Sequence, residues 1–493
     1  MSGASSRRCF ARYVPLICLF PNANIARVQR DPDGQVDRVE AHRFSAAAPR
    51  PVEPMAHRGI YLGDGAGGSA WSGPECSTLV LGPPRSGKTS SLVIPNIVLS
   101  DGPVVSTSTK PDVMQATAPS RAERGWAFLY DPSGEVECPP DVEPVGWSPL
   151  NAAARWDSAV VTADAMVGAS RLHGLRTSEQ HWTERASALL STLLHAAALE
   201  QLTMADVLHW IDRHDGARAL EILDAHRGAG PAATDLLAGV VATDPREQSG
   251  IWSTASGVLA AYRTQGALDS TRRTSLDFDA FCDGPHTLYI CSTGRHQRQF
   301  APLVVGVLGD ARDATYERAR GGRSGTPTLL ALDEVANIAP VPDLPAMVSE
   351  GGGQGLLVLA CLQDLSQART RWGGAADGFL SLFGTTVVLR GIADTRTLRD
   401  ISALAGEREE TVTTFSRSVG RWGRVRPSSS VGTARHARLP VDAVARGAPG
   451  QALVLGPHKE VGRVSLTPAY EWAPRREAVG PARHGADPPA LGR

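Results

Sequence analysis

The stretch Ser77-Thr78-Leu79-Val80-Leu81-Gly82-Pro83-Pro84-Arg85-Ser86-Gly87-Lys88-Thr89 constrains this chain more than any other. A short apolar run enters a loop spaced G-x-x-x-x-G-K-T, and an apolar, helix-compatible segment follows to Val98. Strand, glycine-bearing loop and helix in that order form a cradle for the phosphates of a nucleotide. Gly82, Pro83, Pro84, Arg85, Ser86, Gly87, Lys88, Thr89 and Ser90 are its expected lining. The glycines let backbone N–H groups converge on phosphate oxygens, and Lys88 adds a point charge near the outer phosphates. The Thr89 hydroxyl is a ligand for Mg²⁺, and the helix N-terminus behind the loop adds its positive dipole end.

With 493 residues the chain has room for two or three domains and a sizeable core. Hydrophobic residues at 42% and charged residues at 20% indicate an ordinary globular protein. The formal net charge of −1 excludes a surface coated in basic charge, but leaves room for a locally basic channel. The 7 cysteines are widely spaced and form no C-x-x-C pair, which suits reduced thiols in a cytoplasmic protein better than a disulfide frame or zinc site. Cys282 and Cys291 read as packing residues. No window of about eighteen uninterrupted apolar residues occurs, so no membrane span is expected. Tyr13 to Phe20 follows Arg7, Arg8 and Arg12 like a signal peptide, but it is short, holds Pro15 and lacks a small-residue cleavage site.

Along the chain, residues 1–56 have no sustained period and are expected to be a poorly structured extension, with a short hairpin around Asp31-Pro32-Asp33-Gly34. From 57 to 154, short apolar runs alternate with helical lengths, at Leu79, Val104–Val105 and Phe128–Leu129, as in βαβ units of a parallel sheet. Between 155 and 265 strand patterns vanish. Trp182, Ala186, Leu189, Leu190, Leu193, Leu194, Ala197 and Ala198 share one helical face, and further helical patterns follow at 204–213, 216–226 and 246–263. An inserted all-α domain is expected there, with His181, His195, His209 and His214 as surface or packing residues. The sheet pattern resumes over 266–460, a second part of the nucleotide-binding domain, with a long helix at 297–319. Residues 411–436, rich in Ser, Thr, Arg and Gly, are expected to be a long mobile loop, and 461–493 a disordered tail.

The partner of the phosphate loop is Leu329-Leu330-Ala331-Leu332-Asp333-Glu334. Four apolar residues ending in two acids describe a buried strand that delivers carboxylates to the C-terminal edge of a sheet. Asp333 is expected to hold Mg²⁺, and Glu334 to orient and deprotonate an attacking water. A third apolar strand, Leu359 to Leu362, ends in Gln363. Its amide either touches the outermost phosphate as a sensor or caps the next helix.

Together, GPPRSGKTSSLVIPN, VVSTSTKPD, FLYDPSGE, WSPLN and the block LLALDEVANIAPVPDLPAMVSEGGGQGLLVLACLQDLSQARTRWG resemble the TraG/TraD family, the coupling-protein ATPases of conjugative type IV secretion. The likeness spans about residues 57–460. It implies an α/β fold: a RecA-like P-loop motor domain with a mostly parallel sheet, carrying an inserted all-α domain. It also implies a homo-hexamer that hydrolyses ATP with Mg²⁺ between subunits and moves DNA, usually single-stranded and with a relaxase-type nucleoprotein, towards a type IV secretion channel. Lys88, Thr89, Asp333, Glu334 and Gln363 match the family's nucleotide-site positions. Many members carry N-terminal membrane helices and none is found here: either a soluble, cytoplasmic form associates with the membrane through partners, or the start of this sequence is not that of the usual full-length protein. Some relatives place an arginine in a segment E-G-R-x-x-G to act on the neighbour's ATP, where this chain has Glu350-Gly351-Gly352-Gly353-Gln354-Gly355. Arg390 is the first candidate for that role and Arg371 the second. Arg417, Arg421, Arg424 and Arg426 with Trp422 form the most basic stretch, either a strand-holding loop or a solvated linker. Two other activities fit the motifs: an ATP-gated receptor that sorts protein substrates, or an FtsK-like motor on double-stranded DNA.

Overall fold

The computed structural model describes residues 26–30, 36–41, 59–170, 177–226, 228–273, 275–292, 297–323, 325–419, 425–458 and 460–472. The Tyr13–Phe20 segment and residues 473–493 therefore lie outside the described residues, and the expected disordered tail is corrected at its start, where Val461–Ser465 forms a strand paired antiparallel with Gln451–Leu455. Strands β1 (Ala26–Arg30) and β2 (Val36–Ala41) pair antiparallel on either side of Asp31–Gly34, and belong to a compact unit of their own.

The other unit is built on one twelve-stranded sheet. Its strands are β3 (Tyr61–Gly65), β4 (Gly68–Trp71), β5 (Thr78–Leu81), β6 (Val104–Ser108), β7 (Ala127–Tyr130), β8 (Glu143–Pro144), β9 (Thr287–Cys291), β10 (Thr328–Leu332), β11 (Leu356–Leu362) and β12 (Thr385–Leu389). A separate antiparallel ribbon, β13 (Glu407–Val419) and β14 (Val425–Ala437), comes before its last two strands, β15 (Gln451–Leu455) and β16 (Val461–Ser465). The spatial order is β4-β3-β16-β15-β12-β5-β11-β10-β6-β9-β7-β8. From β12 to β8 every pairing is parallel, and from β15 to β4 every pairing is antiparallel. The expected mostly parallel α/β sheet is present.

Parallel strands buried on both faces read as continuous apolar runs. Leu79, Leu81, Val105, Leu330, Leu332 and Val358 face one core, shared with the helices that follow Ser148. Val80, Val104, Leu329, Ala331, Leu357 and Leu359 face the other, against Leu92, Val93 and Ile97 of the segment behind the phosphate loop. Helices fill the chain from Pro149 to Cys282, so the expected boundaries at 155 and 265 fall inside that helical stretch. The long helix Thr177–Leu199 buries Ala186, Leu189, Leu190, Leu193, Leu194 and Ala197. His195 is fully buried there, with Nδ1 2.7 Å from the Ala153 carbonyl. Among the described residues no helix is long and apolar enough to cross a membrane.

The expectation of a loop over 411–436 is corrected: β13 and β14 pair through thirteen consecutive residue pairs without a bulge. Thr411, Val412, Thr413, Thr414, Val431 and Thr433 are β-branched and favour extended backbone. The ladder is made by the backbone and needs no buried face, so the absence of apolar alternation hid it.

A buried arginine closes the opposite edge of the sheet. Arg121, in the helix Asp112–Ala122, is completely buried, and no carboxylate is among its hydrogen-bond acceptors. Its guanidinium donates to the carbonyls of Ser100, Gly102 (2.8 Å), Pro285 (2.9 Å) and His286 (3.3 Å), and to Thr287 Oγ1 (2.6 Å). Burial lowers its pKa to about 10. These acceptors flank the starts of β6 and β9, so one side chain gathers both strand ends. Replacing it leaves several buried oxygens unpaired at 1–3 kcal/mol each. Arg121→Met should therefore lower the unfolding free energy by roughly 3 kcal/mol or more. A urea titration with an unchanged midpoint would contradict this.

Candidate active site

Strand order brings the expected residues to one edge. β11 lies between β5 and β10, all three run the same way, and their C-terminal ends carry Gly82, Gln363 and Asp333 side by side. Register aligns Leu81 with Leu362, and Leu332 with Ala360. The Gly82 N–H donates to the Leu362 carbonyl at 3.1 Å, so the loop starts locked to the middle strand. A Cβ at Gly82 would stand 2.7 Å from Ser86 Oγ and 3.0 Å from Leu389 Cβ, which only glycine avoids. Gly87 has φ +96°, a left-handed conformation that glycine adopts without strain.

Behind the loop, Thr89–Val93 winds as a π-turn before α-helix resumes over Ile94–Leu99. Pro95 sits in the first α-turn, where its missing N–H is not needed. Asn96 is fully buried: Oδ1 accepts from the Tyr61 N–H at 2.8 Å, and Nδ2 donates to the carbonyls of Tyr61 (2.9 Å) and Leu92 (2.8 Å). This residue stood in the sequence within the IPN segment, without any signal of its role.

Lys88 is buried and donates from Nζ to the carbonyls of Gly82 (2.5 Å) and Pro83 (3.0 Å), so its ammonium lies over the loop. The Thr89 hydroxyl donates to Asp333 Oδ2 at 2.7 Å. These two side chains, 244 positions apart, are the expected Mg²⁺ ligands. Arg85 is exposed in the loop at φ +63°, with Pro84 exposed beside it, while Ser86 and Ser90 are half-buried.

Asp333 is almost wholly buried, and burial pushes its carboxyl above the usual carboxylate range against the pull of the Thr89 hydrogen bond and of Lys88. Glu334 and Asp112 push in the same direction as burial. Glu334 has φ +53° and ψ +49°, a left-handed conformation that costs a non-glycine residue about 1 kcal/mol or more. It turns the chain sharply after β10, and Asn337 Nδ2 donates to Glu334 Oε2 at 3.3 Å. A hard, buried oxygen set of hydroxyl and carboxylate at a phosphate loop suits Mg²⁺.

Gln363 is half-buried at the end of β11, and its capping role is assigned elsewhere. Asp364 caps the helix Leu365–Trp372, accepting from the Ser366 N–H at 2.8 Å, while Gln367 Oε1 accepts from the Gln363 N–H at 2.9 Å. Arg390 is exposed at the end of β12, the strand beside β5. Its neighbour Gly391 packs so closely on the loop that a Cβ would stand 3.1 Å from Pro83 Cγ. Arg371 is 9% exposed within its helix, which removes it as a side chain that reaches another subunit. Arg417 lies exposed on β13; Arg421, Trp422 and Arg424 lie outside the described residues.

Residues 327–446 match the family model described as "TraM recognition site of TraD and TraG". The conjugal transfer protein TraG of Escherichia coli is 26% identical over 337 residues, covering 61% of this chain and 50% of that protein. The chain thus spans about half the length of that curated relative. The solved bacterial conjugative coupling protein TrwBdeltaN70, in its unbound monoclinic form, aligns with a TM-score of 0.63 at 18% identity, over 85% of this chain and 91% of its own. TrwB in complex with ADP and Mg²⁺ aligns with a TM-score of 0.59 at 18% identity, over 84% and 91%. Sequence matches and fold together bear out the resemblance to TraG/TraD-type coupling proteins.

The buried Asp333 supplies a test of the site. A carboxyl whose pKa is raised on folding loses stability for the fold as pH rises above the ordinary range, because the unfolded chain ionises it more readily. Asp333→Asn keeps an acceptor for Thr89 and removes that cost. The nucleotide-free variant should melt at a higher temperature than the parent at neutral and alkaline pH, with the gain shrinking as pH falls towards the carboxylate range. Thermal melts across pH check it; a gain independent of pH would refute the assignment.

Proposed function

We propose that this chain is the ATP-hydrolysing motor of a conjugative DNA-transfer system, drawing single-stranded DNA with its bound relaxase-type protein towards a type IV secretion channel. The observation that carries the proposal is the 2.7 Å contact between the Thr89 hydroxyl and Asp333, made at a phosphate loop and beside Glu334. The solved complex of TrwB with ADP and Mg²⁺ supports the same cofactors here. When bound, Mg²⁺ supplies charge neutralisation between the phosphates. Lys88 holds the outer phosphates, Thr89 and Asp333 hold the metal, and the helix N-terminus behind the loop adds to the positive field. Glu334, aimed by its left-handed backbone and by Asn337, takes the proton of the attacking water. Gln363, between loop and acids, contacts the outermost phosphate. Arg390, exposed one residue before the Gly391 that packs on Pro83, supplies the arginine that the Gly351–Gly355 segment lacks, offsetting charge in the transition state.

Such motors work as rings, and a homo-hexamer acting at the inner face of the membrane through channel partners completes the proposal. Two measurements test it. Purified protein should turn over ATP faster when single-stranded DNA is added, and Lys88→Ala should abolish turnover with or without DNA. Turnover indifferent to DNA would favour a receptor that sorts protein cargo, and an active Lys88→Ala would overturn the phosphate-loop assignment. Arg390→Ala should lower kcat by about 10³-fold or more, the range for a transition-state arginine, with little change in the affinity for an ATP analogue. An unchanged kcat would remove Arg390 from the site.

A further inference from the structure

The β13–β14 ribbon is the largest feature that the nucleotide chemistry leaves unused. It forms a sheet of its own, joined by hydrogen bonds to no strand of the main sheet. Thirteen pairs at about 3.4 Å each make an arm some 40 Å long. Every described side chain from Thr411 to Arg417, and from Ser429 to Thr433, is exposed. Two-stranded ribbons in water are marginal by themselves, so an arm of this length calls for something to lie against it.

Its chemistry identifies that something. From Thr411 to Arg438 the chain holds no Asp or Glu, and it carries Arg417, Arg421, Arg424, Arg426, Arg435 and Arg438. The acids sit before this stretch and are already engaged: Glu410 pairs with Arg408 at 2.7 Å, and Glu409 with Arg435 at 3.3 Å. Arg417 has no acidic partner among the described residues. Register puts Phe415 opposite Ser429 and Thr413 opposite Val431, so Phe415, Val431 and Arg417 share one face. Phe415 is 79% exposed and Val431 70%, with hydroxyls of Thr411, Thr413, Ser429 and Thr433 around them. An anionic lipid surface would demand a broader apolar face than these two side chains. Arginines for phosphates, hydroxyls as further donors and an exposed ring for stacking are the set that a single nucleic-acid strand requires.

We propose that this ribbon is the arm that holds single-stranded nucleic acid, with Arg417 on a phosphate and Phe415, on the same face, stacked on a base. The inference deepens the motor reading and rests on it for the choice of DNA as cargo.

The test is fluorescence anisotropy of a labelled oligothymidylate, titrated with the full chain at several salt concentrations. The parent should bind with a logarithmic affinity that falls linearly with log salt. Arg417→Ser should make that slope shallower by about 0.7, the contribution of one phosphate contact on a single strand. Phe415→Ala should weaken binding about tenfold or more and leave the slope unchanged, which separates stacking from charge. Phe415 is exposed and outside both cores, so this variant keeps the test open if the arginine variant folds poorly. Parental affinity and slope in both variants would overturn the ribbon assignment and leave the motor reading standing. A parent that binds no oligonucleotide would remove both. Variants that lose phosphatidylserine vesicles while keeping the oligonucleotide would overturn the assignment in favour of a membrane contact.

Discussion

The hydrogen bond from Thr89 to Asp333 joins the two halves of the site, and the sheet exists in the form that makes it possible. Asp333 follows β10, and Thr89 opens the helical segment behind the loop that follows β5; those two strands are separated in space by β11 and in sequence by the whole helical stretch. Only strands running in the same direction present their C-terminal ends at one edge. Only a crossover connection can return a chain to a parallel neighbour. Here one of those connections has grown into the helices from Pro149 to Cys282, without disturbing the register of β6 with β9.

That growth is integrated with the sheet. Leu79 and Leu81 of the loop-bearing strand, Phe128 of β7 and Leu189 and Leu193 of the helical stretch belong to one continuous core. Burial of apolar surface is non-directional and cooperative across such a core. The helices therefore serve as one wall of the sheet as well as an inserted element. The other wall is thinner: Leu92, Val93 and Ile97 against Val80, Leu329 and Leu359.

Much of this was legible from residue types. Short runs dominated by apolar residues and Thr marked β5, β7, β9, β10, β11 and β12, because every residue of these strands is buried and no polar side blurs the pattern. The loop, its lysine and the two acids were legible because phosphate chemistry tolerates few substitutes. Less visible were strands whose existence depends on a neighbour. β8 has two residues and β4 four, and β16 is mostly exposed, so none carries a pattern of its own. The β13–β14 ribbon was hidden because Ser, Thr and Arg describe both a loop and a water-covered ladder. At the site, the left-handed backbone of Glu334 and the transfer of capping from Gln363 to Asp364 are conformational facts that residue types alone do not encode.

Asn96 has a mechanical meaning beyond packing. Its amide takes both the N–H and the carbonyl of Tyr61, at the start of the antiparallel wing, while its own helix grows from Thr89. A fully buried amide bonded twice to one residue admits neither slip nor rotation without breaking both bonds. The antiparallel wing and the helix behind the phosphate loop are thereby pinned to each other at one buried point, and shifting either against the other costs two buried hydrogen bonds.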